Sequence, residues 1–267
     1  MAPSLPFEIV AQIIENTYHL HTDPPKVDVE TLSTCAAVCK RWCSFARGLL
    51  FFKINTARQG QSSFLRKFPL LVGSGGLGTC IRSLDLLAHR GTSELDFIMA
   101  LSYCPNLYEL RLLALGDDPG LTDLEVVRLK ALHLKIRALS LTLHYIPRQL
   151  RLLCQLMAIW PSIQFLTFSM LPGWTVPPPG ERPPFSLYEL TIPTYCLFPE
   201  PIMRWLLPPI LAGQKGSLRI LSFTAAADHL NALMEYMPHV RSLRIQLHHP
   251  LPQGFFRALQ RIAGARS

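Results

Sequence analysis

Three cysteines stand in one short stretch, "CAAVCKRWC" at 35–43, where Cys35, Cys39 and Cys43 recur at every fourth position. Thiols four apart on a helix share a face and in principle share a metal ion. Structural zinc takes four ligands, often supplied as CxxC pairs, and no such pair accompanies these three. His19 and His21 lie nearby in sequence without zinc-type spacing. Leu32, Cys35, Val38, Cys39 and Trp42 recur at steps of three or four, so the spacing predicts a helix carrying all five along a single face. Free cysteine packs as a small hydrophobe, and the expected role of this stripe is burial, in a core or against a partner. A second chemical pattern is "GSGGLG" at 73–78, which fits G-x-G-x-x-G with Glu94 further along. That motif grips a pyrophosphate where a helix N-terminus follows it. Here a strand pattern begins at Ile81, so a lead-in to that strand is expected instead. No G-x-S-x-G, H-E-x-x-H or G-K-[ST] pattern occurs. The expectation is a chain that is not an enzyme and uses no cofactor or metal.

Composition narrows the classes further. Of 267 residues, 49% are hydrophobic and 16% charged, enough for a sizeable core, and a mean hydropathy of +0.23 leaves apolar surface for a partner. The sequence has no uninterrupted apolar run of membrane-spanning length, and "MAPSLPFEIVAQIIE" lacks the basic n-region of a signal peptide. Seven cysteines, an odd number scattered along the chain, fit reduced thiols and a cytoplasmic or nuclear location. The net charge of +8 comes mostly from isolated arginines, among them Arg58, Arg82, Arg111, Arg137, Arg219 and Arg241. A nucleic-acid surface is expected to show a clustered basic stripe with aromatic platforms, so neither nucleic acid nor membrane is the expected partner.

The elements that must carry these residues fall into two groups. "LPFEIVAQIIENTY" predicts a helix opened by Pro6, with Glu8 near its positive N-terminus and Ile9, Val10, Ile13, Ile14 and Tyr18 on one wide apolar face. Residues 19–28 read as a turn-rich loop ending at Asp28, a candidate N-cap. The cysteine-bearing helix follows from about Glu30. In this order, "LPFEI" continuing to Ile13, "TLSTCAAVCKRW" at 31–42 and "LLFFKI" at 49–54 together resemble the F-box, a small three-helix module. The resemblance implies a docking module for the Skp-family adaptor of SCF-type cullin–RING ubiquitin ligases. It also implies that Leu5, Pro6, Ile9, Ile13, Leu32, Val38, Cys39 and Trp42 form the module's core and adaptor-facing surface. The loop at 19–29 is longer than the family's pattern.

Beyond residue 80 a short motif recurs: apolar, two variable positions, leucine, one variable, apolar. It reads IRSLDL (81–86), LYELRL (107–112), IRALSL (136–141), IQFLTF (163–168), LYELTI (187–192), LRILSF (218–223) and VRSLRI (240–245). The starts lie 22 to 31 residues apart, inside the roughly 20–29-residue range of leucine-rich repeats on average. Helical patterns at 93–104, 148–160 and 229–237 fall between motifs, and Pro105, Pro161 and Pro238 follow them as stops. The expected fold class is α/β: a three-helix F-box (1–55), a linker and lead-in (56–78), and a β–α leucine-rich-repeat solenoid with a parallel sheet (79–267). The pairing resembles fungal-type F-box proteins with divergent repeats, lacking the customary Asn or Cys after the strand.

Alternation along each strand puts the leucines inward and the variable positions, from Ser83 and Asp85 to Ser242 and Arg244, on the concave face. Arg111, Phe165, Glu189, Ile220 and Arg244 are the expected target-binding residues there. The proline-rich stretch 172–185 reads as an extended excursion, expected to be a tolerated loop insertion; the alternatives are a substrate-binding flap or a ligand for a proline-recognising domain, with Trp174 as anchor. The resemblance implies a substrate receptor that holds a protein target near the conjugating machinery, with cullin reached through the adaptor. The alternative is an interaction scaffold of the same build without ligase activity.

Overall fold

A computed structural model describes residues 6–16, 19–20, 26–56, 66–67, 69–70, 76–89, 94–115, 120–143, 151–168, 185–192, 205–207, 217–225 and 240–247. Three helices come first: α1 (Phe7–Asn16), α2 (Val29–Val38) and α3 (Lys40–Leu50). Between α1 and α2, where a plain loop was expected, β1 (His19–Leu20) and β2 (Lys26–Val27) pair as an antiparallel ribbon. Asp28 caps α2 as its spacing suggested, accepting the Thr31 backbone N–H at 2.9 Å.

The stripe expected along one helix is divided. Cys39 is fully extended, at φ −162° and ψ 166°, and ends α2 while opening α3. No glycine or proline marks the break; packing does. Trp42, Phe45, Ala46, Leu49 and Leu50 form a second apolar face at helical spacing, and that face meets Val10, Ile14, Leu32 and Cys35 when α3 folds back on α1 and α2. A continuous helix would carry those side chains away from this core.

The rest is one eight-stranded, all-parallel sheet in sequential order. The seven motifs supply β4 (Ser83–His89), β5 (Glu109–Leu115), β6 (Ala138–Leu143), β7 (Phe165–Phe168), β8 (Glu189–Ile192), β9 (Ile220–Ala225) and β10 (Ser242–Leu247). The motifs do not reveal β3 (Lys53–Asn55), which follows α3 directly and pairs with β4 at the sheet edge. Thr56 fastens it: its backbone N–H and Oγ1 both donate to Asp85 O, at 3.1 and 2.8 Å. A single turn of 3-10 helix, Leu77–Cys80, leads into β4 after Gly76 at φ 64°. The glycine-rich pattern therefore meets a turn and a strand, not the N-terminus of an α-helix.

Helices α4 (Glu94–Ser102), α5 (Asp123–Ala131) and α6 (Arg151–Ile159) lie between successive strands. In α4 the buried residues are Ile98, Ala100 and Leu101, whereas Ser102, one turn on from Ile98, is exposed and donates to Met99 O. In α6, Leu153 and Met157 are buried as the spacing predicts, and so is Trp160 just beyond its end. The helix read at 229–237 and residues 172–184 lie outside the described residues, and Phe185, the last of the proline-rich stretch, is buried in the core.

Register explains the repeat. Leu84, Leu110, Leu139, Leu166, Leu190 and Leu221 stand side by side across the sheet, each essentially buried. The apolar residue opening each motif, from Ile81 to Val240, is buried behind them. Immediately after it comes a recurrent backbone device. Arg82 O accepts the N–H groups of both Tyr108 and Glu109, and Tyr108 O accepts those of Arg137 and Ala138. Phe52, Arg137, Gln164, Tyr188 and Arg219 repeat the arrangement. Each turn is thus hydrogen-bonded to the next at its entry, which satisfies backbone groups that burial would otherwise orphan. Among the described residues, no helix is long and apolar enough to cross a membrane.

Candidate interaction surfaces

The eight residues expected to dock an adaptor separate by exposure. Leu32 is fully buried in the small core and Trp42 packs half-buried against it. Pro6 and Cys39 are exposed, as are Ile9 at 43%, Ile13 at 41% and Val38 at 59%. Ile9 and Ile13 are one helical turn apart on α1, while Val10 and Ile14 beside them turn inward. Val29, not expected from the sequence, is exposed at 58% on α2. Leu5 lies outside the described residues. The helices therefore hold one apolar set inside and leave another outside.

The cysteines have separate surroundings. Cys35 is buried with Leu32, whereas Cys39 and Cys43 line an open groove with Lys40, Arg47 and Cys80, beside the 3-10 turn. All three are free thiols, and among the described residues no three His, Cys, Asp or Glu side chains gather in a metal-holding group. Cys104 differs again. It is fully buried behind β5, its Sγ donates to Ala100 O at 3.4 Å, and burial pushes its thiol up to about 12.

On the sheet, the outward positions form two rows across the strands. One runs Lys53, Ser83, Glu109, Ala138, Phe165, Glu189, Ile220 and Ser242, in hydrogen-bonded register. The other carries Asp85, Arg111, Ser140, Thr167, Thr191, Ser222 and Arg244. Phe165, Glu189 and Ile220 are therefore adjacent on consecutive strands, all half-buried, with Arg111 and Arg244 exposed in the next row. Ser83, expected to be exposed, is 3% exposed, because Glu109 crosses over it and accepts its Oγ at 2.7 Å. Arg111 closes this cluster, at 2.8 Å from Glu109 and 3.7 Å from Asp85, with Lys53 4.0 Å from Asp85. Half of this network is open to water, so it contributes little stability and mainly fixes the Arg111 side chain in place.

Sequence reading missed the position just before the first of these rows. The residues there are Arg82, Tyr108, Arg137, Gln164, Tyr188, Arg219 and Arg241. Arginines that are isolated along the chain hold the same place in their repeats, and the sheet brings them into one line. The rings of Tyr108 and Tyr188 flank Phe165, with centroids 6.4 and 5.8 Å from it, within the range of favourable aromatic pairing. Aligning the motifs by their second residue is the signal that finds this row. No protein-family model and no curated protein matches the chain.

Proposed function

We propose that this chain is the substrate-recognition subunit of an SCF-type ubiquitin ligase. In this reading α1–α3 are an F-box that docks on a Skp-family adaptor, and the sheet belongs to a leucine-rich-repeat solenoid that holds a protein target. The observation that carries it is the exposed apolar set Ile9, Ile13, Val29 and Val38 on a three-helix unit joined directly to a repeat sheet. Apolar side chains left outside so small a core point to a protein partner. The polar face offers the second site, centred on Phe165 with Glu189, Ile220, Arg111 and Arg244. The protein itself performs no bond chemistry; holding target and conjugating enzyme together supplies the rate, since a bimolecular step becomes effectively unimolecular.

Co-expression with a Skp-family adaptor tests the docking half. The wild-type chain should co-purify with the adaptor, and Ile9→Asp/Ile13→Asp should abolish this while leaving helical content unchanged, because both side chains already face water. Equal recovery of adaptor by wild type and double variant would reject the reading. Recovery of cullin through the adaptor separates a ligase subunit from a scaffold of the same build.

A further inference from the structure

The groove between α3 and the 3-10 turn Leu77–Cys80 gathers three thiols and two cations around about 450 Å³ of open space. That volume lies in the roughly 300–1,000 Å³ range of small-molecule sites. Cys39, Cys43 and Cys80 border it, all as free thiols. Lys40, Ser44 and Arg47 share with Cys43 the outward face of α3, opposite the face that carries Trp42 and Ala46 into the helical core. No carboxylate is among the described lining residues, and among the described residues neither Lys40 nor Arg47 is in an ion pair. The three sulfurs form no metal-holding group, so they border a space instead of meeting at a point. Exposure ranks them: Cys39 is open to solvent, while Cys43 and Cys80 are half-buried.

We propose that this groove is a thiol–disulfide exchange site for the disulfide of a small acidic thiol, with Cys39 as the acceptor. The chemistry closes without a further oxidant. The Cys39 thiolate attacks one sulfur of the incoming disulfide. A new S–S bond joins Cys39 to half of the reagent and the old S–S bond breaks. The other half leaves as a thiolate, which takes up a proton in place of the one Cys39 lost. One disulfide is consumed and one is formed.

Charge and length select the reagent. Two cations without carboxylate partners attract a thiol compound that carries carboxylates and repel a cationic one. Lys40 and Arg47 are seven residues apart on α3, about 10 Å along the helix axis. An extended tripeptide spans about 10 Å, and glutathione has its cysteine in the middle and a carboxylate at each end. With its sulfur bonded to Cys39, it can lie along α3 and offer those carboxylates to Lys40 and Arg47. The half-buried Cys43 and Cys80 are less accessible to so large a reagent. The site rests on the groove alone and not on the receptor reading, so either can fail without the other.

Mass spectrometry of the reduced full-length chain tests it, with three disulfides at pH 8 and low ionic strength. These are oxidised glutathione, the neutral bis(2-hydroxyethyl) disulfide and the cationic cystamine. Each rate at Cys39, read by peptide mapping, is divided by the rate at Cys39 in the urea-unfolded chain, which removes the reagent's intrinsic reactivity. Glutathione should add first at Cys39, with a normalised rate at least about fivefold above the neutral reagent, the gain expected from two exposed ion pairs. Cystamine should fall below the neutral reagent, and the differences should vanish in about 1 M salt. Lys40→Gln/Arg47→Gln, which alters two exposed side chains, should abolish the preference and leave the neutral rate unchanged. Equal normalised rates for glutathione and the neutral reagent would overturn the proposal. So would a first adduct on another cysteine, or a preference that survives in the double variant.

Discussion

Leu32 in α2 and Leu139 in β6 are both essentially buried, yet they sit in unlike surroundings. Leu32 belongs to a core of five buried residues, Val10, Ile14, Leu32, Cys35 and Ala46. Leu139 belongs to a core that continues without interruption from Ile81 to Val240. In the repeats each turn covers the apolar face of its neighbour and lengthens one core, while Leu124 and Val127 on the outside of α5 stay exposed. Three short helices have too little interior for that, and Ile9, Ile13, Val29 and Val38 remain outside. The contrast teaches that the repeat core lengthens with every turn, whereas the helical core closes on five buried residues.

The largest expected effect that sharpens this contrast is in thiol reactivity. At pH 8 a thiol with a pKa of about 12 holds roughly one thiolate in ten thousand molecules, and Cys104 is in addition fully buried. Alkylation followed by peptide mapping should modify the exposed Cys39 readily, and Cys104 at least about 1,000-fold more slowly until denaturant is added. Comparable rates would show that the repeat core is not closed.

Next come two core truncations read by amide hydrogen exchange. Trp160→Ala should remove about 3–5 kcal/mol and lower protection throughout the sheet. Leu32→Ala should cost about 2–5 kcal/mol and expose the amides of α1–α3, leaving β4–β9 protected. If Leu32→Ala lowers protection in both regions equally, they are one cooperative unit and the contrast fails.

A smaller effect is expected at a helix cap inside the repeats. Thr122 and Glu125 form a reciprocal capping box at the start of α5: Thr122 Oγ1 accepts the Glu125 N–H, and Glu125 accepts the Thr122 N–H. Thr122→Ala should destabilise by about 1 kcal/mol in denaturant titration, and a change in the slope of that titration would mean that α5 melts separately.

The smallest effect concerns the matching cap in the N-terminal helices. Backbone and side-chain hydrogen bonds from Thr31 hold the Asp28 carboxyl below its ordinary value of 3.8. A depressed folded-state value means that the ionised carboxylate stabilises α2 above the unfolded value, and that this contribution is lost as pH falls through the folded one. Asp28→Asn should therefore be slightly less stable than wild type at neutral pH, with the difference closing below about pH 4. A difference that persists in acid would assign the cap to shape rather than charge.

Much of the sheet was legible because its signal repeats. Leucines such as Leu84, Leu110 and Leu139 mark both the strand and its inward face, and seven copies fix the period. The capping box at Thr122 was equally readable, though only the structure drew attention to α5. Three features had no local signal. The break at Cys39 arises from α3 folding back onto α1, a choice made by contacts distant in sequence. Strand β3, three residues long, is too short to show alternation and is defined by its pairing with β4. The line of Arg82, Arg137, Arg219 and Arg241 is spread over four repeats and becomes a line through sheet register. The alternating strand positions face outward as expected except at Ser83, where the long side chain of Glu109 covers a short one.

The unbroken register from β3 to β10 also makes the polar face a ruler. Neighbouring strands are about 4.8 Å apart, so seven steps mark out about 34 Å. An extended chain advances about 3.4 Å per residue, and a segment lying across all eight strands would be about ten residues long. Each repeat added or lost changes that reach by between one and two residues, and leaves the rest of the scale untouched.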